Sequence, residues 1–143
     1  MKEITFSKDQ IIFRQGEFGR AMYDILSGEI GIYTDYQGAD EKQIAVLKAG
    51  EVFGEMGLIE AYPRSATAVA LTDDTVVAEL KEDDLRAYLQ DKPEKLLQVM
   101  RQLSSRIRET TEKYVAVCRS VSEHRRTQKE LDYYADQYSN YWF

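Results

Sequence analysis

The sequence predicts an α+β chain in two parts, an antiparallel β-rich segment over residues 1–82 and a helical segment over residues 83–143. Three observations predict it. Short apolar runs recur about every ten residues up to Leu80, with glycines and aspartates between them. Beyond Leu80 the apolar period becomes that of a helix. From Leu96 onward one stripe of residues then keeps a heptad spacing.

The expected strands are Ile4–Phe6, Ile11–Phe13, Met22–Leu26, Glu29–Thr34, Gln43–Leu47, Ala66–Leu71 and Thr75–Leu80. Gly16, Gly19, Gly28, Gly38, Gly50 and the pair Asp73-Asp74 separate them. Many short strands at this interval fit a sandwich, a roll or a barrel. Ser27-Gly28, between two strand-like runs, reads as a tight hairpin. Gly54–Ala61 lacks alternation and predicts about two helical turns, which Pro63 stops.

In the helical part, Glu82–Gln90 reads as a short helix with acids in its first turn, where they meet the positive end of the helix dipole. Asp91 is the expected N-cap of a second helix, with Pro93 near its start. That helix is expected to reach about Gln128, since no Gly or Pro interrupts it. Its stripe is Leu96, Met100, Leu103, Ile107, Thr110, Tyr114, Val117 and Val121, spaced alternately four and three apart. The stripe could pack on its own domain. A helix of about 35 residues, roughly 50 Å long, outruns a small β domain, so a two-stranded coiled coil with a second copy is expected. Cys118 sits beside Val117 and reads as a packing residue. The end, LDYYADQYSNYWF, places Tyr134, Tyr138 and Tyr141 at helical spacing. They are expected to dock within the protein, with a protein partner as the alternative.

Composition narrows the function. Apolar residues make up 43% of the 143, enough for a core and for about one domain plus an appended element. No run approaches the roughly 18 apolar residues of a membrane helix. MKEITFSKDQ has no apolar signal segment, and a single cysteine forms no internal disulfide, so a cytoplasmic location is expected. One Cys and one His, His124, supply no thiolate–imidazole metal cluster, so no metal is expected. No Ser/His/Asp arrangement is present either, so the chain is not expected to be an enzyme. Residues 1–82 carry 8 Lys/Arg against 15 Asp/Glu, and residues 83–143 carry 11 against 10. An acidic first half argues against a nucleic-acid surface. Arg119, His124, Arg125, Arg126 and Lys129 read as a solvated helix face rather than a DNA contact.

An anion bound by this acidic half therefore needs a local site. Phe53–Thr67, FGEMGLIEAYPRSAT, offers one. Gly54 opens the candidate helix and permits close backbone approach; a helix start presents free N–H groups to a phosphate. Glu55 can accept from a sugar hydroxyl, and Arg64 has the planar fork that suits phosphate. Spacing alone also fits a surface ion pair.

This window resembles the phosphate-binding cassette of cyclic-nucleotide-binding domains, as in catabolite activator proteins and the regulatory subunits of cAMP-dependent protein kinases. Phe53-Gly54-Glu55 and Arg64-Ser65-Ala66-Thr67 carry the likeness, with Gly16, Met22–Gly28 and Leu47–Glu51 extending it over residues 1 to about 115. The resemblance implies an antiparallel β-roll (a double-stranded jelly roll), then a short helix and a long dimerisation helix. It implies a ligand site of Phe53, Gly54, Glu55, Met56, Arg64, Ser65 and Ala66. Glu55 would accept from the ribose 2′-hydroxyl, and Arg64 would pair with the exocyclic phosphate oxygens. The backbone of Gly54 and Ala66 and the Ser65 hydroxyl would complete the pocket. Glu60 would weaken anion binding if it faced inward. Thr110 and Thr111 resemble the adenine-contacting pair of the dimer helix, which implies cAMP with cGMP as the alternative. The dimer helix would pair through Leu96, Met100, Leu103, Ile107, Tyr114, Val117 and Val121. With 20–30 residues beyond this stripe, the DNA-binding module that follows it in catabolite activator proteins is not expected. The expected function is a homodimeric cyclic-nucleotide sensor, and the alternative is a dimeric scaffold whose pocket is vestigial or takes another small anion.

Overall fold

The computed structural model describes residues 1–124 and residue 135. The alternating runs form strands β1 (Lys2–Phe6), β2 (Ile11–Phe13), β3 (Ala21–Ser27), β4 (Glu29–Thr34), β5 (Lys42–Lys48), β6 (Val52–Phe53), β7 (Thr67–Ala70) and β8 (Thr75–Lys81). Helix α1 (Glu55–Ile59) lies between β6 and β7, and α2 (Glu82–Asp91) and α3 (Glu94–His124) follow β8. The strands make two antiparallel four-stranded sheets, ordered β1-β8-β3-β6 and β2-β7-β4-β5. This is the antiparallel β-roll, followed in sequence by a short and a long helix.

Alternation decides which residues meet between the sheets. Tyr23 and Ile25 of β3 face Ile30 of β4, Leu47 of β5, Phe53 of β6, Ala68 of β7 and Val77 of β8 in one buried cluster. Ile4, Phe6, Ile12, Phe13, Ile32 and Ala45 pack at its edges. The intervening residues Met22, Val52 and Leu80 point the other way and form a second cluster with Leu58 and Tyr88. Leu85 and Leu89 of α2 and Val99 of α3 cover it.

Two local expectations are corrected, and one strand is added. Ser27-Gly28 is not a hairpin, because β3 and β4 lie in different sheets. Gly28, at φ +84°, instead turns the chain from one sheet to the other, and a Cβ there would strike the hydroxyls of Thr75 and Thr72. Asp91 does not cap α3 but ends α2, where the Lys92 amide still donates to the Tyr88 carbonyl at 2.9 Å. The start of α3 is a turn in which Lys95 and Leu96 donate to Lys92 and Pro93. Strand β6 is the third difference: at two residues it shows no alternation to read.

The chain forms two compact units, Met1–Val99 and Met100–Phe143. The first takes in more than the expected 1–82 roll, because α2 and the first turns of α3 pack onto the second cluster. In the second unit, Met100, Ile107, Tyr114, Val117 and Val121 of α3 are half-exposed or more, while Leu103 is partly buried; Leu96, before the boundary, is also half-exposed. Cys118 is a free thiol of intermediate exposure. The basic cluster beyond His124 and the tail tyrosines Tyr134, Tyr138 and Tyr141 lie outside the described residues.

Candidate functional site

The site is built where β6 ends. Phe53 is fully buried and stacks on Tyr23 at 5.2 Å between ring centroids, with Phe13 at 5.8 Å. The next residue, Gly54, takes φ +75° and caps α1, a conformation in which a side chain would be strained. Glu55 then opens the helix with its side chain turned inward, only 3% exposed. After α1 the chain passes Ala61, at φ +53°, and Pro63 before entering β7 through Arg64.

Arg64 is the centre of the arrangement. Its backbone is fixed first: its amide donates to the Glu17 carbonyl and its carbonyl accepts from the Gly16 amide, both at 2.8 Å. Its side chain is 6% exposed. Nη1 donates to the Gly54 carbonyl and Nη2 to the Ala21 carbonyl, each at 2.7 Å. The guanidinium carbon lies 4.3 Å from the centre of the Phe13 ring, within cation–π range. Three glycines make the space: a Cβ at Gly19 or Gly54 would fall 2.8 Å from a guanidinium nitrogen, and one at Gly57 would fall 2.7 Å away.

Burial pushes the Arg64 pKa down, and the nearby Tyr23, Glu55 and Glu17 oppose that shift. Tyr23 is pushed up, first by burial and then by Glu79. Among the described residues, Arg64 Nε is the buried side-chain polar atom without a hydrogen-bond partner. A buried donor left unpaired is costly, so this N–H suits an acceptor brought by an anion.

The other cassette positions separate by exposure. Ala66 and Thr67 are buried, and the Thr67 hydroxyl accepts the Gln15 amide at 3.0 Å. Ser65 is exposed, Met56 is half-exposed, and Glu60 is exposed at the end of α1. A cleft of about 310 Å³ lies between the β2–β3 loop and the cassette loop, lined by Phe18, Gly19, Arg20, Ala61 and Tyr62. Thr110 and Thr111 belong to the other unit. Thr110 is exposed, and the Thr111 hydroxyl donates back to the Ile107 carbonyl at 2.8 Å.

Sequence reading missed Phe13, Ala21, Tyr23 and Gly57 as parts of the site. Ala21 acts through its carbonyl, which no side-chain pattern reports. Gly57 was visible only as a glycine inside a short helix. A Cβ there would also fall 2.6 Å from the Gly19 carbonyl. Gly57→Ala is therefore expected to destabilise the fold by about 1–3 kcal/mol, the usual range for overpacking. Urea unfolding of the variant measures this.

Residues 3–92 match the sequence profile of the cyclic nucleotide-binding domain. The chain belongs to that family. A cyclic AMP receptor protein of Thermus thermophilus is 42% identical over 74 residues, covering 52% of this chain and 34% of the relative. A CRP-like cAMP-activated global transcriptional regulator of Mycobacterium tuberculosis is 28% identical over 110 residues, covering 77% of this chain and 49% of the relative. The chain thus spans half or less of these curated relatives. Among solved structures, the catabolite activator protein of Thermus thermophilus aligns with a TM-score of 0.70 and 31% identity, over 81% of this chain and 54% of that one. A cyclic nucleotide-binding domain from Methylobacillus flagellatus aligns with a TM-score of 0.65 and 29% identity, over 80% of this chain and 66% of that one. Among the described residues, no cluster of His, Cys, Asp and Glu could hold a metal ion, and no helix is long and apolar enough to cross a membrane.

Proposed function

We propose that this cyclic nucleotide-binding domain is a regulatory protein that binds cAMP, in preference to cGMP, as a homodimer paired through α3. The observation that carries the reading is Arg64: a buried guanidinium, oriented by two carbonyls and an aromatic face, with its Nε–H still unpaired. The phosphate of the ligand accepts from that edge. Glu55 accepts the ribose 2′-hydroxyl, Ser65 and the Gly54 and Ala66 backbones close around the phosphate, and Thr110 and Thr111 read the adenine. The regulators related by sequence include cAMP-activated ones, and a cAMP-bound kinase regulatory subunit is among the structural neighbours, which supports cAMP as the ligand.

A thermal-shift titration tests the ligand. If cAMP binds, a concentration of 100 times Kd stabilises the fold by about 2.7 kcal/mol. The two carbonyl partners of Arg64 favour a second reading, because they hold the cation without a ligand. In that reading the chain is a dimeric scaffold with a vestigial pocket or another small anionic ligand. Millimolar cAMP and cGMP that both leave the melting temperature unchanged would select the scaffold.

The half-exposed stripe of α3 supports pairing with a second copy. At about 1.5 Å per residue, the 31 residues of α3 extend roughly 46 Å. Ile107→Glu places a charge in the middle of the stripe and is expected to leave a monomer in sedimentation at micromolar concentration. A dimer that survives it would remove α3 as the pairing element.

A further inference from the structure

The second apolar cluster contains a charge. Asp24 lies on β3 beside Met22, Val52 and Leu80 and is 2% exposed. Both of its carboxylate oxygens are engaged. Oδ2 accepts from the Tyr88 hydroxyl of α2 at 2.5 Å, and Oδ1 is 3.0 Å from Nζ of Lys95 in the first turn of α3. The Lys95 ammonium donates again to the Gly50 carbonyl at 3.1 Å, and the Gln98 amide donates to the same carbonyl.

Gly50 is where this network meets the ligand site. Its own amide donates to the Ile25 carbonyl at 2.7 Å, and the Ile25 amide donates to the Glu51 carbonyl at 3.0 Å. The turn is thus held by β3 on one side and by α3 on the other. Strand β6 follows at once, with Val52 opposite Asp24 and Phe53 opposite Tyr23. Gly54 comes next, and its carbonyl holds one end of the Arg64 fork. Ala21, at the start of β3, holds the other end. Ala21 stands on β3 and Gly54 directly follows β6, so both Arg64 acceptors adjoin the pair of strands fixed by Asp24 and Gly50.

Stability alone does not call for a charge here, because a buried ion pair is often no better than well-packed apolar residues. What the pair adds is geometry. Asp24, Lys95 and Gly50 satisfy one another only when the first turns of α3 sit in one register on the β3–β6 pair. We infer that Asp24 is a positioning residue for the ligand site. With Lys95, Tyr88 and Gln98 it locks the start of α3 to β3 and β6, and the lock sets the spacing of the Ala21 and Gly54 carbonyls around Arg64. The ligand arm of this inference rests on the function proposed above. By linkage, a ligand that needs this Arg64 geometry favours the closed lock, and opening the lock weakens the ligand by the same factor.

The test is native-state hydrogen exchange on the full chain, with cAMP affinity measured in parallel. Lys95→Met leaves the Asp24 carboxylate stranded and is expected to lower overall stability. The double variant Asp24→Asn/Lys95→Met removes that conflict and is expected to melt within a few degrees of the parent. In the double variant, the amides of residues 50–55 and of Arg64 should still exchange at least about tenfold faster relative to global unfolding, and the Kd for cAMP should rise about tenfold. A structural role alone would recover along with stability. Parent-like exchange at these amides overturns the inference, as does faster exchange with unchanged affinity. If the parent binds no cyclic nucleotide, the proposed function falls and the lock is judged on exchange alone: faster exchange supports it, and unchanged exchange overturns it.

Discussion

Arg64→Ala is expected to weaken cAMP binding by about 30- to several-thousand-fold, equivalent to roughly 2–5 kcal/mol. The size follows from burial. The guanidinium is almost wholly removed from water, so a phosphate paired with it loses a desolvated partner that water does not replace. The variant also strands the carbonyls of Ala21 and Gly54, which lose their donors. That adds a stability cost of about 1–3 kcal/mol for each acceptor kept from water. Calorimetric titration measures the affinity, and a melting curve of the same sample confirms that the protein is folded. Arg64→Lys is no rescue, because one ammonium cannot reproduce a fork that spans two carbonyls and still offers Nε–H. A folded Arg64→Ala protein that binds cAMP as the parent does would remove Arg64 from the site.

Phe53→Ala is expected to cost about 3–5 kcal/mol of folding stability, the range for deleting a buried aromatic side chain. Phe53 is 2% exposed and packs against both Tyr23 and Phe13. Those two rings also stand under Arg64, with Phe13 the closer. The cavity therefore opens beside the two rings that support the guanidinium. Ligand affinity is expected to fall along with stability. Phe53→Leu, which keeps most of the volume, should recover the larger part of both. Denaturant unfolding gives the stability change, and a loss under 1 kcal/mol would show that the three rings do not act as one packed unit.

Much of this was legible in the residues, for stated reasons. Strands such as Glu29–Thr34 and Thr75–Lys81 were legible because short apolar, β-branched runs are bounded there by glycines and aspartates. The cassette was legible because its glycine, carboxylate and arginine sit within one short window. Strand β6 was not, since two residues carry no period. The fate of Ser27-Gly28 was hidden for another reason. A glycine at positive φ marks a turn, but whether the turn closes a hairpin or changes sheets is settled by pairings far along the chain. Asp91 misled because an aspartate before a proline resembles a cap, while the Lys92 amide was already taken by α2. Asp24 was hidden too, because its partners Tyr88 and Lys95 stand more than sixty residues away in sequence.

The Phe53–Thr67 window thus gains a part that sequence could not show. Arg64 is held before any ligand arrives, by carbonyls of β3 and of Gly54, with Phe13 under its face. In the proposed function, a cation already oriented in this way lowers the ordering cost of taking an anion into a locally acidic protein.

A crystal structure of the protein with cAMP tests the central claim most directly. The phosphate is predicted to lie against Arg64, with an oxygen within about 3 Å of Nε, the length of a charge-assisted hydrogen bond, and with the ribose 2′-hydroxyl on Glu55. A nucleotide bound elsewhere, or an Arg64 that keeps its Nε unpaired in crystals grown with saturating cAMP, would contradict the account.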